Sequence, residues 1–301
     1  MKIIDFFVSA FVKRINKTFV HNQKYKIENY QIVIPSSLNL PRNQKKYPLY
    51  DKFLPVLASH LPPGTVVDVG ANVGDTLAAM AQKCSNSFIC VEPSNKFFRY
   101  LEKNATEIRK KSNKEIKLVK ELIGSGKLSG YLIDDGSTAF VKITDNQDIV
   151  SKHVQLDTLV NEQTEVVLIK SDVDGYDFDV IRSSEKILKK SHPILFWENE
   201  ISNDIQYADF SNFYAFLEEL GYLYVYIFDN FGNLLVEKSN YNTLRDINAY
   251  LYNMKKFNAT RTFFYTDILA STEKRRLIVE RAVADYKNNF IKQPHCKAGE
   301  F

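Results

Sequence analysis

The sequence predicts an α/β fold in which a mostly parallel sheet is covered by helices on both faces. Three observations predict it. Short apolar runs typical of buried strands, at Thr65–Val69, Ser87–Val91 and Val166–Ser171, alternate with longer stretches of helical periodicity, as in parallel βαβ units. A glycine-containing turn follows the first run directly. The chain has 301 residues, 45% of them hydrophobic, which is enough to bury a substantial core.

The elements follow one another in the order that this fold needs. In the first half we expect a helix at 50–60, a strand at 65–69, a helix at 73–83, a strand at 87–91, a helix at 95–111 and a strand at 116–120. Residues 128–154 interrupt the alternation with short β-rich pieces between turn residues, which predicts a small antiparallel insertion.

The alternation resumes in the second half of the chain. We expect a strand at 166–171, a helix at 177–189, a strand at 193–198 and a helix at 210–220. Two further strands, at 222–229 and 261–270, are predicted to be antiparallel neighbours with a helix between them, and a last helix is expected at 272–288.

We expect one main domain at 49–301, with the β-rich insertion at about 126–155 and C-terminal strands and helices at 221–301. Residues 1–48 form an N-terminal appendage that ends in a polar, proline-marked connection. Its first twenty residues hold an apolar run at 6–12 between basic residues, which is too short to span a bilayer. Two interpretations stay open: this helix docks on the protein, or it makes peripheral contact with a membrane surface.

Charge and cysteine content exclude several classes of protein. The net charge is +4 and the 40 basic residues are dispersed, so no nucleic-acid partner is predicted. Cys84, Cys90 and Cys296 form neither a CxxC pair nor an even disulfide framework, which excludes a structural zinc site and a secreted, cross-linked domain. These features predict a cytoplasmic protein, and membrane association stays open.

The turn after the first strand indicates a cofactor site. Asp68 is followed by Gly70, Asn72, Gly74 and Asp75, and a helix begins at once. A dinucleotide site requires glycines at the third and sixth turn positions to receive a pyrophosphate, whereas here those positions are Asn72 and Asp75. S-adenosylmethionine carries a sulfonium cation and no phosphate, so carboxylates near the turn favour it instead.

Two further acidic motifs lie at strand ends that should meet this turn. Glu92 ends the next strand about twenty residues after the turn, where an acid accepts both ribose hydroxyls of a nucleoside. The apolar strand at 166–171 contains Lys170 near its end, and Asp172 and Asp174 follow it. Since ligands bind outside the carboxyl ends of such strands, we expect all these residues at one edge of the sheet.

In ordered succession, the motifs VDVGANVGD, VEP, LDTLV, IKSDVDGYDFDVI and PILFWENE resemble the FkbM-type methyltransferases of class I. The resemblance covers about residues 65–200, with DILA as a late strand. It implies a Rossmann-like, seven-stranded sheet with an antiparallel last strand, and O-methylation of a sugar, glycan or small metabolite with S-adenosylmethionine as donor. The usual motif is closer to IKIDVEG, so Ser171 and Asp174 are departures that leave the role of Asp174 open.

Site residues follow from the resemblance position by position. It implies that Gly70, Asn72 and Gly74 contact the methionine end of the donor, that Glu92 binds the ribose and that Asp172 stands where donor and acceptor meet. The full cofactor-binding prediction, which includes neighbours in the same motifs, is Asp68, Gly70, Ala71, Asn72, Gly74, Asp75, Glu92, Pro93 and Asp172.

The base that would take the acceptor proton is predicted in order as Asp172, then His153, then Glu198. Lys170 would either hold Asp172 or bind an acidic acceptor. The sequence leaves open whether a divalent metal assists, although Asp172, Asp174 and Glu198 are suitable oxygen ligands, and the resemblance implies none.

Two other classes of function compete with methyl transfer. A non-catalytic binding protein could keep the methyltransferase fold, but the motif residues for the cofactor are all present together. A nicotinamide-dependent oxidoreductase is disfavoured by Asn72 and Asp75. No [DN]PPY-like sequence follows the strand at 166–171, which argues against methylation of adenine and favours an oxygen acceptor. The acceptor itself and the oligomeric state stay open.

Overall fold

The computed structural model describes residues 21–126, 130–134, 139–143 and 151–291. The apolar run at 6–12 and Cys296 lie outside the described residues, and so does the tip of the predicted insertion between 135 and 138. Among the helices that the structure describes, none is both long and apolar enough to cross a membrane.

The central feature is an eight-stranded sheet with the order β13-β12-β14-β11-β10-β3-β4-β5. Strands β3, β4, β5, β10 and β11 run parallel, and β14 is antiparallel to both β11 and β12. The strands of the protein, in chain order, are β1 Asn22–Ile27, β2 Tyr30–Pro35, β3 Thr65–Val69, β4 Ser87–Val91, β5 Ile116–Val119, β6 Leu122–Ile123, β7 Gly130–Asp134, β8 Ala139–Ile143, β9 His153–Val154, β10 Val166–Ser171, β11 Ile194–Asn199, β12 Tyr224–Asp229, β13 Leu234–Ser239 and β14 Thr266–Ser271.

Helices cover both faces of this sheet. In chain order they are α1 Leu40–Lys46, α2 Phe53–His60, α3 Asp75–Ala81, α4 Asn95–Ser112, α5 Asp177–Arg182, α6 Glu185–Ser191, α7 Asp204–Glu219, α8 Tyr241–Lys256 and α9 Arg276–Phe290. Helices α2, α3, α4 and α9 pack in one hydrophobic core, and α5 to α8 pack in the other. Every residue of β3 and β10 is buried because both faces of these strands are covered.

The Rossmann-like order of strands and helices is confirmed. The strands at Thr65–Val69, Ser87–Val91 and Val166–Ser171 agree with the predicted bounds. The two late strands are antiparallel neighbours with α8 between them, as expected. Beyond the seven expected strands, β13 pairs with β12 and extends the edge of the sheet.

The predicted helix at 177–189 is two helices. The Ser183 amide donates to the carbonyls of both Asp179 and Val180, which closes the last turn of α5. Helix α6 begins again two residues later, because the carboxylate of Asp157 accepts the free amides of Lys186 and Ile187 at 3.0 Å each. The start of α6, and with it the break between the two helices, therefore depends on Asp157 from another segment of the chain.

The β-rich insertion and the N-terminal hairpin both adjoin the sheet's carboxyl edge. Strands β7 and β8 form the expected antiparallel hairpin, and β6 pairs in parallel with β9. The N-terminal appendage is joined to α4 through Asn104, whose side chain accepts the amide of Val33 in β2 and donates to the Val33 carbonyl. The same side chain donates to the carbonyl of Val73 at 2.8 Å. One buried amide thus joins β2 to the turn after β3.

Candidate active site

The turn after β3 packs against two neighbouring strands. The amides of Gly70 and Ala71 both donate to the carbonyl of Val91, at the end of β4. Gly70 has a φ of +76°, and a Cβ on it would lie 1.9 Å from the carbonyl oxygen of Asp172. Only glycine fits here, because the backbones after β3 and β10 touch at this point.

The other two residues of the turn differ in what they face. Asn72 lines the cavity at a φ of 47°, and its buried Oδ1 has no hydrogen-bond partner among the described residues. Gly74 has a φ of +83°, and a Cβ there would lie 2.9 Å from the Leu101 side chain of α4. The missing side chain of Gly74 thus makes room for the packed helix α4, and Gly74 does not line the cavity.

Glu92 is buried and held by backbone amides. Its Oε2 accepts the amide of Asn72 at 2.9 Å, and its Oε1 accepts the amide of Ser94 at 2.8 Å. Ser94 in turn caps α4, since its hydroxyl accepts the amides of Lys96 and Phe97. These two bonds fix the orientation of the Glu92 carboxylate at the wall of the cavity.

Lys170 connects the turn to the end of β10. Its Nζ lies 3.1 Å from Oδ1 of Asp68, 3.4 Å from Oδ2 of Asp172 and 3.1 Å from the carbonyl oxygen of Gly70. Burial alone would lower the pKa of Lys170, but the attraction of Asp68, Asp172 and Asp75 outweighs burial and raises this pKa above its ordinary value. The lysine is therefore a permanent cation, and it holds Asp172 at the cavity.

A cavity of about 250 Å³ opens at the carboxyl ends of β3, β4, β10 and β11. Most of the predicted site residues line it, namely Gly70, Asn72, Asp75, Glu92, Pro93, Lys170, Asp172 and Glu198. The predicted residues Asp68, Ala71 and Gly74 do not; Asp68 and Ala71 are buried behind the wall of the cavity, where they support the turn.

His153 is not among the described residues that line this cavity. It belongs to the β6–β9 pair, where a Cβ on Gly124 would meet its ring at 3.0 Å and the Asp179 carboxylate at 2.5 Å. Burial lowers the pKa of His153, and the attraction of Asp179 opposes this shift. The small β6–β9 sheet does reach the cavity, but through Leu122, the register partner of His153, and not through His153 itself.

A smaller recess of about 70 Å³ adjoins the cavity, and Lys170, Asp172, Glu198 and Tyr265 line both. Its apolar wall consists of three rings in mutual contact, Phe53, Phe196 and Phe228. Sequence reasoning missed several polar residues of the recess and cavity, among them Tyr50, Asp51, Tyr265 and Asp267. Asp267 is the register partner of Glu198 on the neighbouring strand. The late-strand motif DILA, which begins at Asp267, was therefore the sequence signal that could have predicted this residue at the site.

The carboxyl groups around the cavity are strongly influenced by burial. Burial, and then repulsion from Asp172, raises the pKa of Glu198 well above its usual range. Burial raises the pKa of Asp75 to about 6, although the attraction of Lys170 opposes the shift. Asp177, whose Oδ1 accepts the Ser171 hydroxyl at 2.5 Å, has its pKa raised to about 8 by burial.

These residues fit S-adenosylmethionine better than a dinucleotide. The unpaired Oδ1 of Asn72 can accept from an amino group, and the carboxylates favour a sulfonium cation. A pyrophosphate would meet Asp75, Asp172 and Glu198 here, while the cation that lines this cavity within the described segments, Lys170, is already paired.

Comparison with known proteins agrees with this geometry. The family described as "Methyltransferase FkbM domain" matches residues 68–224, which include the turn, Glu92 and the cluster after β10. No curated protein matches the chain in sequence.

Solved structures of methyltransferases match the chain at low sequence identity. An O-methyltransferase from Bacillus cereus in complex with SAH is 15% identical, with a TM-score of 0.42, over 79% of this chain and 91% of that one. Methyltransferase FkbM from Methylobacillus flagellatus KT is 12% identical, with a TM-score of 0.38, over 77% of this chain and 58% of that one. Likenesses this distant carry no argument about activity.

Proposed function

Because the chain belongs to the FkbM methyltransferase family and is therefore S-adenosylmethionine-dependent, we propose that it transfers the methyl group to a hydroxyl oxygen of a sugar, a glycan or a small metabolite. The observation that carries the proposal is the position of Asp172. Its carboxylate is half exposed where the cavity meets the recess, and Lys170 holds it from behind.

In this proposal, the cavity and the recess bind different molecules. The turn at Gly70 and Asn72, together with Glu92, binds the donor, which supplies a methyl group on a sulfonium centre. The recess, with its aromatic wall and the oxygens of Tyr265 and Asp267, receives the acceptor. Protein groups that keep the acceptor oxygen in line with the methyl group and the sulfur supply most of the rate enhancement.

Asp172 accepts the proton that the acceptor hydroxyl loses. Lys170 Nζ lies 3.4 Å from Asp172 Oδ2 and orients this carboxylate, so Lys170 acts as a positioning residue rather than as a second base. Glu198 shares the recess but is buried among other carboxylates, and its raised pKa favours the protonated form. It is therefore the weaker candidate for the base.

Titration calorimetry with S-adenosylmethionine, S-adenosylhomocysteine and NAD tests the donor site first. We expect micromolar binding of both adenosyl compounds and no binding of NAD. Transfer of a labelled methyl group to a panel of free sugars, glycans and metabolite extracts then tests the acceptor class. Label found on nitrogen, or binding of the donor without transfer to any acceptor in the panel, would overturn the proposed O-methylation.

A further inference from the structure

Three carboxylates converge beside the cavity from two neighbouring strand ends. One oxygen each of Asp174, Glu198 and Glu200 lies within 4.8 Å of the other two. The turn after β10 causes this convergence. A Cβ on Gly175 would lie 2.7 Å from the carbonyl oxygen of Glu200, so the backbones after β10 and β11 are pressed together. Asp174 therefore faces the end of β11.

Glu198 differs from the other two acids. It is only 8% exposed, it lines both the cavity and the recess, and it forms no hydrogen bond or ion pair with any residue that the structure describes. A buried carboxylate that lacks a partner is unfavourable by several kcal/mol unless a proton or a cation neutralises it. Glu198 therefore offers a cation in the cavity an oxygen ligand that no described residue occupies.

The nearby lysines do not supply that charge. Lys170 is already surrounded by Asp68, Asp172 and the Gly70 carbonyl. Lys255 lies 3.6 Å from Glu200 and donates to the hydroxyl of Ser202 at 2.6 Å. Both ammonium groups are therefore engaged without contacting Glu198.

We propose that Asp174, Glu198 and Glu200 bind a divalent cation of the hard, oxygen-preferring class, such as Ca²⁺, Mg²⁺ or Mn²⁺. One oxygen of each residue lies within 4.8 Å of the other two, which is close enough for one ion to bind all three after small side-chain movements, smaller for Ca²⁺ than for Mg²⁺ because Ca–O bonds are longer. Carboxylate oxygens are the preferred ligands of all three ions.

The cation would have a defined place in the active site. Glu198 lines the recess, so the coordination positions that protein oxygens leave open face the space proposed for the acceptor. Hydroxyl oxygens of the acceptor can occupy these positions and replace water. This last step rests on the proposed function, whereas binding of the cation does not.

Binding of Mn²⁺ to the full chain, first treated with EDTA, tests the site. Electron paramagnetic resonance of free Mn²⁺ should show one bound ion per chain, with a dissociation constant of roughly 10⁻⁶ to 10⁻⁴ M. Glu198→Gln keeps the shape of the side chain and should weaken binding by at least about tenfold, as should Asp174→Asn. Glu219→Gln, on the exposed face of α7, is the matched control and should bind as the wild type does.

Thermal unfolding gives a second test, which distinguishes loss of cation binding from a folding defect of the variant. Ca²⁺ should raise the melting temperature of the wild type and of Glu219→Gln but not that of Glu198→Gln. Absence of saturable Mn²⁺ binding, or equal binding by Glu198→Gln and the wild type, would overturn the cation site. Binding of S-adenosylmethionine, measured on the same samples, tests the proposed function separately. If the chain binds S-adenosylmethionine but not Mn²⁺, the cation site is refuted and the proposed function is not.

Discussion

Lys170 Nζ lies 3.1 Å from the Oδ1 of Asp68, its neighbour in register on β3, and both side chains are almost completely buried. The same ammonium group contacts the Gly70 carbonyl and the carboxylate of Asp172. One cation therefore joins the strand before the glycine turn, the turn itself and the proposed base. Buried ion pairs of this kind contribute more to position than to stability, but removing one partner is strongly destabilising.

Lys170→Met should lower the free energy of unfolding by on the order of 3 to 5 kcal/mol, because it leaves Asp68 buried without its cation. Urea unfolding measures the change. Lys189→Met is the matched control, since Lys189 pairs with Glu185 on the surface and should change stability by less than about 1 kcal/mol. The double variant Asp68→Asn, Lys170→Met should recover much of the loss. No recovery would show that the ion pair does not cause it.

Glu92→Gln should weaken binding of S-adenosylhomocysteine by on the order of 1 to 3 kcal/mol, because an amide loses charge-assisted acceptance from the ribose hydroxyls. Titration calorimetry measures the affinity. Glutamine keeps an oxygen that can accept one of the two backbone amides, so the fold should persist. The exposed Glu102→Gln in α4 serves as the control and should bind normally. Unchanged affinity in Glu92→Gln would remove Glu92 from the proposed site.

Asp172→Asn should reduce turnover by about 10²-fold or more while cofactor affinity changes little, because the amide cannot take the acceptor proton. Single-turnover methyl transfer and calorimetry separate the two effects. His153→Ala is the informative comparison, because His153 does not line the cavity and should leave turnover within about twofold of the wild type. Equal loss of turnover and affinity in Asp172→Asn would assign Asp172 to donor binding instead.

Gly70→Ala should destabilise the protein by more than about 3 kcal/mol and abolish cofactor binding, because its Cβ would collide with the Asp172 carbonyl 1.9 Å away. Gly221→Ala supplies the control. Gly221 has a similar φ of +80° and nothing within 4 Å of its added Cβ, so only the conformational cost of about 1 to 2 kcal/mol remains. Similar losses in the two variants, by urea unfolding, would refute the close approach of the two backbones.

Asp177→Asn should make stability less dependent on pH. Burial raises the pKa of Asp177 to about 8 from 3.8, so the folded chain keeps a proton that the unfolded chain has released. This stabilisation is fully present below the pKa of Asp177 in the unfolded chain. It is lost as the pH rises through about 8, the pKa of Asp177 in the folded chain. The wild type should therefore lose a few kcal/mol between about pH 5 and pH 8.5 that Asp177→Asn does not lose.

Urea unfolding at several pH values measures this difference, and exposed Asp246→Asn in α8 is the control that should follow the wild-type curve. Parallel curves for Asp177→Asn and the wild type would show that Asp177 is ionised in the folded protein.

The parts of the fold that could be predicted are those whose signal is local. Strands β3, β4 and β10 are buried on both faces, so each reads as a continuous apolar run between polar segments. Strand β13 lies at the edge and is mostly exposed, so its composition resembles a loop and it was not predicted. The break between α5 and α6 depends on Asp157, which is distant in sequence.

The side of the cavity proposed for the donor was predictable for a related reason. The turn, Glu92 and Asp172 stand in short motifs directly after strands, and parallel strands bring such motifs to one edge of the sheet. The recess was not predictable in this way. Asp51 and Asp267 come from segments more than 200 residues apart, and antiparallel pairing of β14 with β11 is what places Asp267 beside Glu198.

By itself, the sequence determined the family, the parallel order of the sheet and the residues proposed to bind the donor, because local periodicity and motif spacing carry that information. Only the tertiary structure decided which side chains share a cavity. It left His153 out of the lining of the cavity, packed a helix against Gly74 and buried Glu198 without a hydrogen-bond partner in the described part of the chain. Side-chain direction and burial depend on packing between distant segments, and such packing has no signature in a single stretch of chain.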